Sequence, residues 1–211
     1  MKTSKLIIAA ILSICLCACE HPTVSVEKEK AVIDAIYECL ELTPNQVADK
    51  METIGFHRRT NPSTSSWKYD AYSDIDVGNE GRVLIGVSSM NDTLSGIGYN
   101  IYLTHDTDPA AHFRLVSDII ATYGYSDWKG TYRDASTEDA LQIAESRADL
   151  CAHIRSDYLS DSKTTQNYSE NFIYTHTDGS RWSGEYTIYC EIWPKNGGKD
   201  VFLSYTLTRI Q

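Results

Sequence analysis

The stretch Val47-Ala48-Asp49-Lys50-Met51-Glu52-Thr53-Ile54-Gly55-Phe56 aligns without a gap on Val116-Ser117-Asp118-Ile119-Ile120-Ala121-Thr122-Tyr123-Gly124-Tyr125. Valine, aspartate, threonine and glycine coincide, and the apolar positions match in kind. Each block has the three-to-four-residue apolar spacing of a helix, and its glycine supplies a left-handed stop. Each is later followed by segments whose apolar period is two. The pattern predicts an α+β fold of two tandem repeats, each a helix or helical hairpin followed by a three-stranded antiparallel sheet.

Along the chain, Val32, Ile36, Cys39 and Leu40 make Val26 to Leu42 a helix. Thr43-Pro44-Asn45-Gln46 then reads as a capping box with proline at the first helical position, opening a second helix that buries Val47, Met51 and Ile54. Trp67 to Tyr72, Val83 to Ser89 and Ile97 to Leu103 read as strands. If Asn91 to Thr93 is the loop, Val87 faces Ile97, Ile85 faces Tyr99 and Val83 faces Ile101, all on one side. Asp108-Pro109 opens the helix of the second block, and Ser136 with Asp139 resembles a capping box for an inserted helix over 137–159. Ser160 to Glu170 is expected as loop. Phe172 to His176, Gly184 to Trp193 and Val201 to Thr208 close the chain as strands, with Ile192 opposite Val201, Cys190 opposite Leu203, Ile188 opposite Tyr205 and Tyr186 opposite Leu207. The first repeat covers 28–106 and the second 107–211.

The sheet faces pointing away from the helices carry the binding candidates. On the first sheet Gly86 lies opposite Gly98 and Ser88 opposite Gly96, a strip without bulky side chains where another backbone or a ligand could approach closely. On the second, Tyr189, Trp193 and Phe202 share a face, with Phe172 and Tyr174 placed beside them, and rigid aromatics suit protein recognition. Either the aromatic face packs on the glycine strip or both faces are exposed to a partner.

The N-terminal segment is apolar from Leu6 to Cys17 apart from Ser13, follows Lys2 and Lys5, and is shorter than the roughly 20 residues that span a bilayer. It ends in Leu16-Cys17-Ala18-Cys19, which resembles the lipobox of bacterial lipoproteins. The resemblance implies that 1–18 is a signal peptide, that Cys19 is lipidated, and that 19–27 is a tether. Glu20, where an aspartate would favour inner-membrane retention, points to the outer membrane. Residues 20–26 reach only about 25 Å when extended at roughly 3.5 Å each, so the folded part is expected close to a membrane. At the level of architecture alone, the helix-plus-sheet repeats resemble the small lipoprotein of the outer-membrane barrel-assembly machinery and the tandem-repeat β-lactamase inhibitor proteins. Neither family contributes a residue motif.

A formal net charge of −10 repels phosphates and anionic head groups, which disfavours nucleic acid and permits a protein partner. Of six cysteines, Cys15 and Cys17 belong to the signal and Cys19 to the anchor. Cys39, Cys151 and Cys190 remain, an odd number, with a Cys151 to Cys190 bridge and buried free thiols both open. His105, His112 and His153 are weak metal candidates: His105 and His112 cluster with Asp106 and Asp108, and His153 shares a helix face with Asp149 and Asp157. His112 also lies beside Ile119 and Tyr123, the usual place of a core histidine. Ser65-Ser66-Trp67-Lys68 fits an SxxK pattern but lacks the companion motifs of the penicillin-recognising enzymes. No catalytic residue and no cofactor is expected. The sequence favours a membrane-anchored envelope lipoprotein acting as a binding module, with an envelope hydrolase or a purely structural lipoprotein as alternatives.

Overall fold

A computed structural model describes residues 26–61, 67–73, 83–103, 108–133, 141–159, 166–192 and 199–210. The elements in chain order are α1 (Val26–Glu38), α2 (Pro44–Thr53), β1 (His57–Asn61), β2 (Trp67–Ser73), β3 (Val83–Met90) and β4 (Thr93–Leu103). They continue with α3 (Pro109–Ala121), β5 (Ser126–Arg133), β6 (Leu141–Ala144), α4 (Arg147–Leu159), β7 (Gln166–Thr175), β8 (Arg181–Ile192) and β9 (Lys199–Arg209). The fold is α+β, and the nine strands among the described residues form one antiparallel sheet in the order β1-β2-β3-β4-β9-β8-β7-β5-β6. No described helix is long and apolar enough to cross a membrane.

Local chemistry sets the helix starts. Thr43 Oγ1 accepts from the Gln46 backbone N–H while Gln46 Oε1 accepts from the Thr43 N–H, so two otherwise orphaned donors satisfy each other's residues reciprocally. Asp108 Oδ1 accepts from the N–H groups of Ala110 and Ala111, with Pro109 at the first helical position. Gly55 and Gly124 follow α2 and α3 with φ of 93° and 78°, left-handed values that cost glycine little. Each is followed by one aromatic residue, Phe56 or Tyr125, and then directly by a strand.

The β3–β4 register is the one expected: Val87 faces Ile97, Ile85 faces Tyr99 and Val83 faces Ile101. The hairpin closes through Asn91 and Asp92, both at positive φ, as a two-residue turn matched to strand twist requires. A bulge between Ser88 and Ser89 adds Ser95 to the β4 side. On β8 and β9 the observed register differs by two residues from the expected one. Cys190 lies opposite Val201, Ile188 opposite Leu203 and Tyr186 opposite Tyr205. A shift of two preserves which face each side chain takes, so the apolar pattern is satisfied by both registers.

Three further expectations are corrected. Residues 166–170, expected as loop, are the first half of β7, and Ser126–Arg133, where no strand is expected, is β5. The inserted helix begins at Arg147 rather than 137; Leu141–Ala144 is instead a strand, with Ile143 76% exposed on the sheet edge. The basic segment His57-Arg58-Arg59 forms most of edge strand β1, which pairs with β2, so the described strands before α3 number four rather than three, and those after it five.

The helices lie on one side of the sheet and share one apolar core with it. Val83, Ile85, Val87, Ile97, Ile101, Leu203 and Leu207 are all at most 3% exposed, and point with Tyr99, Tyr186 and Tyr205 toward the helix layer. Phe113 of α3 stacks on Tyr186, with centroids 4.6 Å apart, and Tyr37 of α1 accepts a hydrogen bond from Tyr205 Oη at 2.8 Å. Gly184 leaves room on this side for the Phe172 ring, since a Cβ there would sit 2.2 Å from Phe172 Cε2. Cys39 and Cys151 are free thiols, so the Cys151 to Cys190 bridge does not form.

Candidate binding face and buried polar clusters

Strand β4 pairs along its length with β9, Tyr99 opposite Tyr205 and Gly98 opposite Thr206. That pairing decides between the two arrangements of the open faces. The glycine strip and the Tyr189–Phe202 pair lie side by side on one continuous surface, and these two rings do not pack onto the glycines. The glycines admit a backbone as expected, but the backbone is the neighbouring strand: a Cβ on Gly98 would lie 2.2 Å from the Tyr205 carbonyl oxygen and 2.9 Å from Thr206 Cα.

Over β3, β4 and β9 the outer face forms a shallow trough of about 180 Å³, lined by Gly86, Ser88, Gly98, Asn100, Ser204 and Thr206. Its wall is neutral, made of hydroxyls, an amide and glycine backbone. Ser95 Oγ donates to Ser88 Oγ at 3.2 Å, and Ser88 Oγ to the Gly96 carbonyl at 3.4 Å. Tyr189, 38% exposed, and Phe202 stand together beside it on β8 and β9, centroids 5.9 Å apart. Farther along, Ser169 and Thr187 are buried and hydrogen-bond to each other at 2.9 Å.

Phe172 and Tyr174 do not belong to this face. They are 2% and 8% exposed and point into the helix-side core, Phe172 against Tyr125 at 4.7 Å and Tyr174 edge-on to Tyr37 at 4.9 Å. The turn between β7 and β8 pairs Tyr174 with Trp182, which places both with the inward set. Trp193, Cys19 and His105 lie outside the described residues.

His112 is 8% exposed, and its Nε2 lies 2.6 Å from Glu29 Oε2. Tyr99 Oη donates to Glu29 Oε1 at 2.6 Å, and burial, reinforced by the Glu29 charge, raises the Tyr99 phenol well above its ordinary pKa. Glu29 is fully buried and joins α1, α3 and β4. The signal was in the sequence: Glu29 stands four residues before Ile33, on the apolar stripe of α1. A second buried carboxylate, Glu170, accepts from Ser117 Oγ, from Trp128 Nε1 at 2.9 Å and from Arg147 Nε at 3.1 Å. Glu29 and Glu170 themselves line neither the trough nor the groove between α3 and α4, whereas Arg147, the partner of Glu170, reaches the wall of that groove.

His153 pairs with Asp149 at 3.5 Å on the surface of α4 and stacks on Tyr132, centroids 4.0 Å apart. The structure does not bring His112 and His153 to one point. Instead, among the described residues, Glu41, His176 and Asp178 place one ligand atom each within 4.8 Å of one another. Sequence reading missed this group because Glu41 and the 176–178 turn lie in opposite halves of the chain. A groove of about 520 Å³ between α3 and α4 is rimmed by Arg114, Arg147 and Arg155. It carries no cationic excess, because those arginines face Asp118, Glu170 and Asp108 respectively.

Comparison of the chain with protein-family models, with curated proteins and with solved structures gives no match. The class defined by the structure is therefore a two-layer α+β protein, with helices over one face of an antiparallel sheet.

Proposed function

We propose that this chain is a lipid-anchored envelope protein that acts by binding, and that it presents the outer face of its sheet to a protein partner. The observation that carries the reading is the one-sidedness of the fold. The helix layer covers one face, while the other holds a neutral trough and an adjacent Tyr189–Phe202 pair. Aromatics fixed on a sheet lose little conformational freedom on binding, and a trough of glycine and hydroxyl groups lets a partner backbone come close. The lipobox-like Leu16-Cys17-Ala18-Cys19 supports anchoring through Cys19, and Glu20 supports the outer membrane.

The same reading treats the fold as a duplicated unit. In its favour, Gly55-Phe56-β1 and Gly124-Tyr125-β5 follow α2 and α3 in the same way, and β1-β2-β3-β4 meet β5-β7-β8-β9 in reversed order across the β4–β9 seam. Strand β6 and helix α4 are then the insertion of the second unit.

Capture from detergent-solubilised envelopes tests the binding reading with the full chain, a Tyr189→Ala/Phe202→Ala variant, and an Ile143→Thr control on the sheet edge. The proposal expects the same species with wild type and control and its loss from the double variant. An identical set from all three overturns it.

A further inference from the structure

Glu41 leaves the end of α1, while His176 and Asp178 belong to the β7–β8 turn. Their donor atoms nevertheless converge. His176 Nδ1 lies 3.1 Å from Glu41 Oε1 and 3.3 Å from Asp178 Oδ1, and the imidazole is 12% exposed. Around a tetrahedral zinc ion with bonds of about 2.0–2.2 Å, neighbouring donors sit roughly 3.3–3.5 Å apart. The two separations from the imidazole nitrogen, 3.1 and 3.3 Å, are already close to those values, and all three donors lie within 4.8 Å of one another.

The surrounding bonds hold the donors in place. The turn is closed by the His176 N–H donating to the Ser180 carbonyl at 2.8 Å and the Gly179 N–H to the His176 carbonyl at 2.9 Å, with Gly179 at φ 84°. The Ser180 N–H donates to Asp178 Oδ1 at 2.8 Å, and Thr177 Oγ1 donates to Glu41 Oε1 at 3.2 Å. Each carboxylate thus has a partner of the kind that orients metal ligands, and Tyr174 stands edge-on to the imidazole at 6.0 Å.

We propose that Glu41, His176 and Asp178 form a binding site for a zinc-like divalent transition-metal ion, held by one imidazole nitrogen and two carboxylate oxygens with its remaining positions open to water. The mixed donor set suits zinc; manganese follows more weakly by the general order of divalent affinities. Calcium and magnesium prefer an all-oxygen shell and bind poorly here. A bound ion ties the α1–α2 loop to the β7–β8 turn and stabilises the fold by mass action.

The test uses the full chain in detergent, stripped with chelator, and titrated separately with zinc, manganese and calcium chloride by calorimetry and thermal unfolding. One equivalent of zinc is expected to bind and raise Tm, with a smaller response to manganese and none to calcium. His176→Ala and Asp178→Asn should each weaken zinc binding at least tenfold, and His153→Ala should leave it unchanged. Should His176→Ala fail to fold, Glu41→Gln, at a half-exposed loop position, provides the same readout. No zinc-dependent rise in Tm, or a rise undiminished in these variants, means the group is only a histidine beside two carboxylates and overturns the proposal.

Discussion

Replacing Glu29 by alanine removes the acceptor of Tyr99 Oη and the carboxylate that faces His112 Nε2 in one step, at a position with no exposed surface. Two polar groups are then left facing a dry core. Each buried polar group left without its partner costs roughly 1–3 kcal/mol of desolvation, so the two together cost about 2–6 kcal/mol. At about 2–4 °C per kcal/mol for a domain of this size, Tm falls by roughly 4–24 °C. Urea denaturation at neutral pH followed by tryptophan fluorescence measures the change directly. Glu29→Gln keeps an acceptor for Tyr99 and should lose less, about 1.5–3 kcal/mol, the range for a hydrogen bond to a charged group. Replacing all three members with apolar groups, Glu29→Met, His112→Leu and Tyr99→Phe, should recover most of the loss, since the penalty belongs to the unpaired groups rather than to burial itself. A loss below about 1 kcal/mol for Glu29→Ala would refute the closed Glu29–His112–Tyr99 cluster.

Three other outcomes follow from the same geometry. Gly98→Ala pushes a methyl into the Tyr205 carbonyl and should cost about 1–3 kcal/mol through overpacking at the β4–β9 seam, read as a fall in urea midpoint at unchanged slope. Burial pushes the Cys39 thiol up to about 12, so Cys39 should resist a thiol reagent at pH 8 until the protein is denatured. For Asp108, burial works against ionisation, but hydrogen bonds from Ala111 and Ala110 and the charge of Arg155 outweigh it and hold the carboxyl below its usual value of 3.8. The depressed folded pKa means its contribution is present above pH 3.8 and is lost as pH falls through the lower folded value; Asp108→Asn should therefore flatten the acid limb of a stability–pH curve.

The parts of the fold carried by local chemistry were legible. Thr43 and Asp108 mark their helices through caps, and the facing pairs of β3 and β4 follow from their apolar alternation; the loop expected over Asn91 to Thr93 is instead a two-residue turn, Asn91-Asp92, whose one-residue offset the Ser88/Ser89 bulge restores. The β8–β9 register was not, because a six-residue connection, 193–198, separates the strands and a two-residue slip keeps every side chain on its own face. Strand β5 escaped because Ser126–Arg133 shows no clean alternation of burial, and β1 because an edge strand needs little apolar content. Ile143 fitted the stripe of the following helix and drew its expected start too early. Phe172 and Tyr174 were placed on the wrong face because the pattern of β7 alone does not say which side meets the helices; the turn at Gly179 does. The Glu41–His176–Asp178 group depends on the contact between two distant loops, which no local pattern encodes.

Hydroxyl-radical footprinting of the protein in intact envelopes, set against the purified chain, tests the proposed binding face most directly. Tyr189 and Phe202 are expected to be protected in envelopes, with Leu115 on the helix side, 43% exposed, equally reactive in both. Unchanged reactivity at Tyr189 and Phe202 together with protection of Leu115 would contradict the proposed face and move the partner to the helix layer.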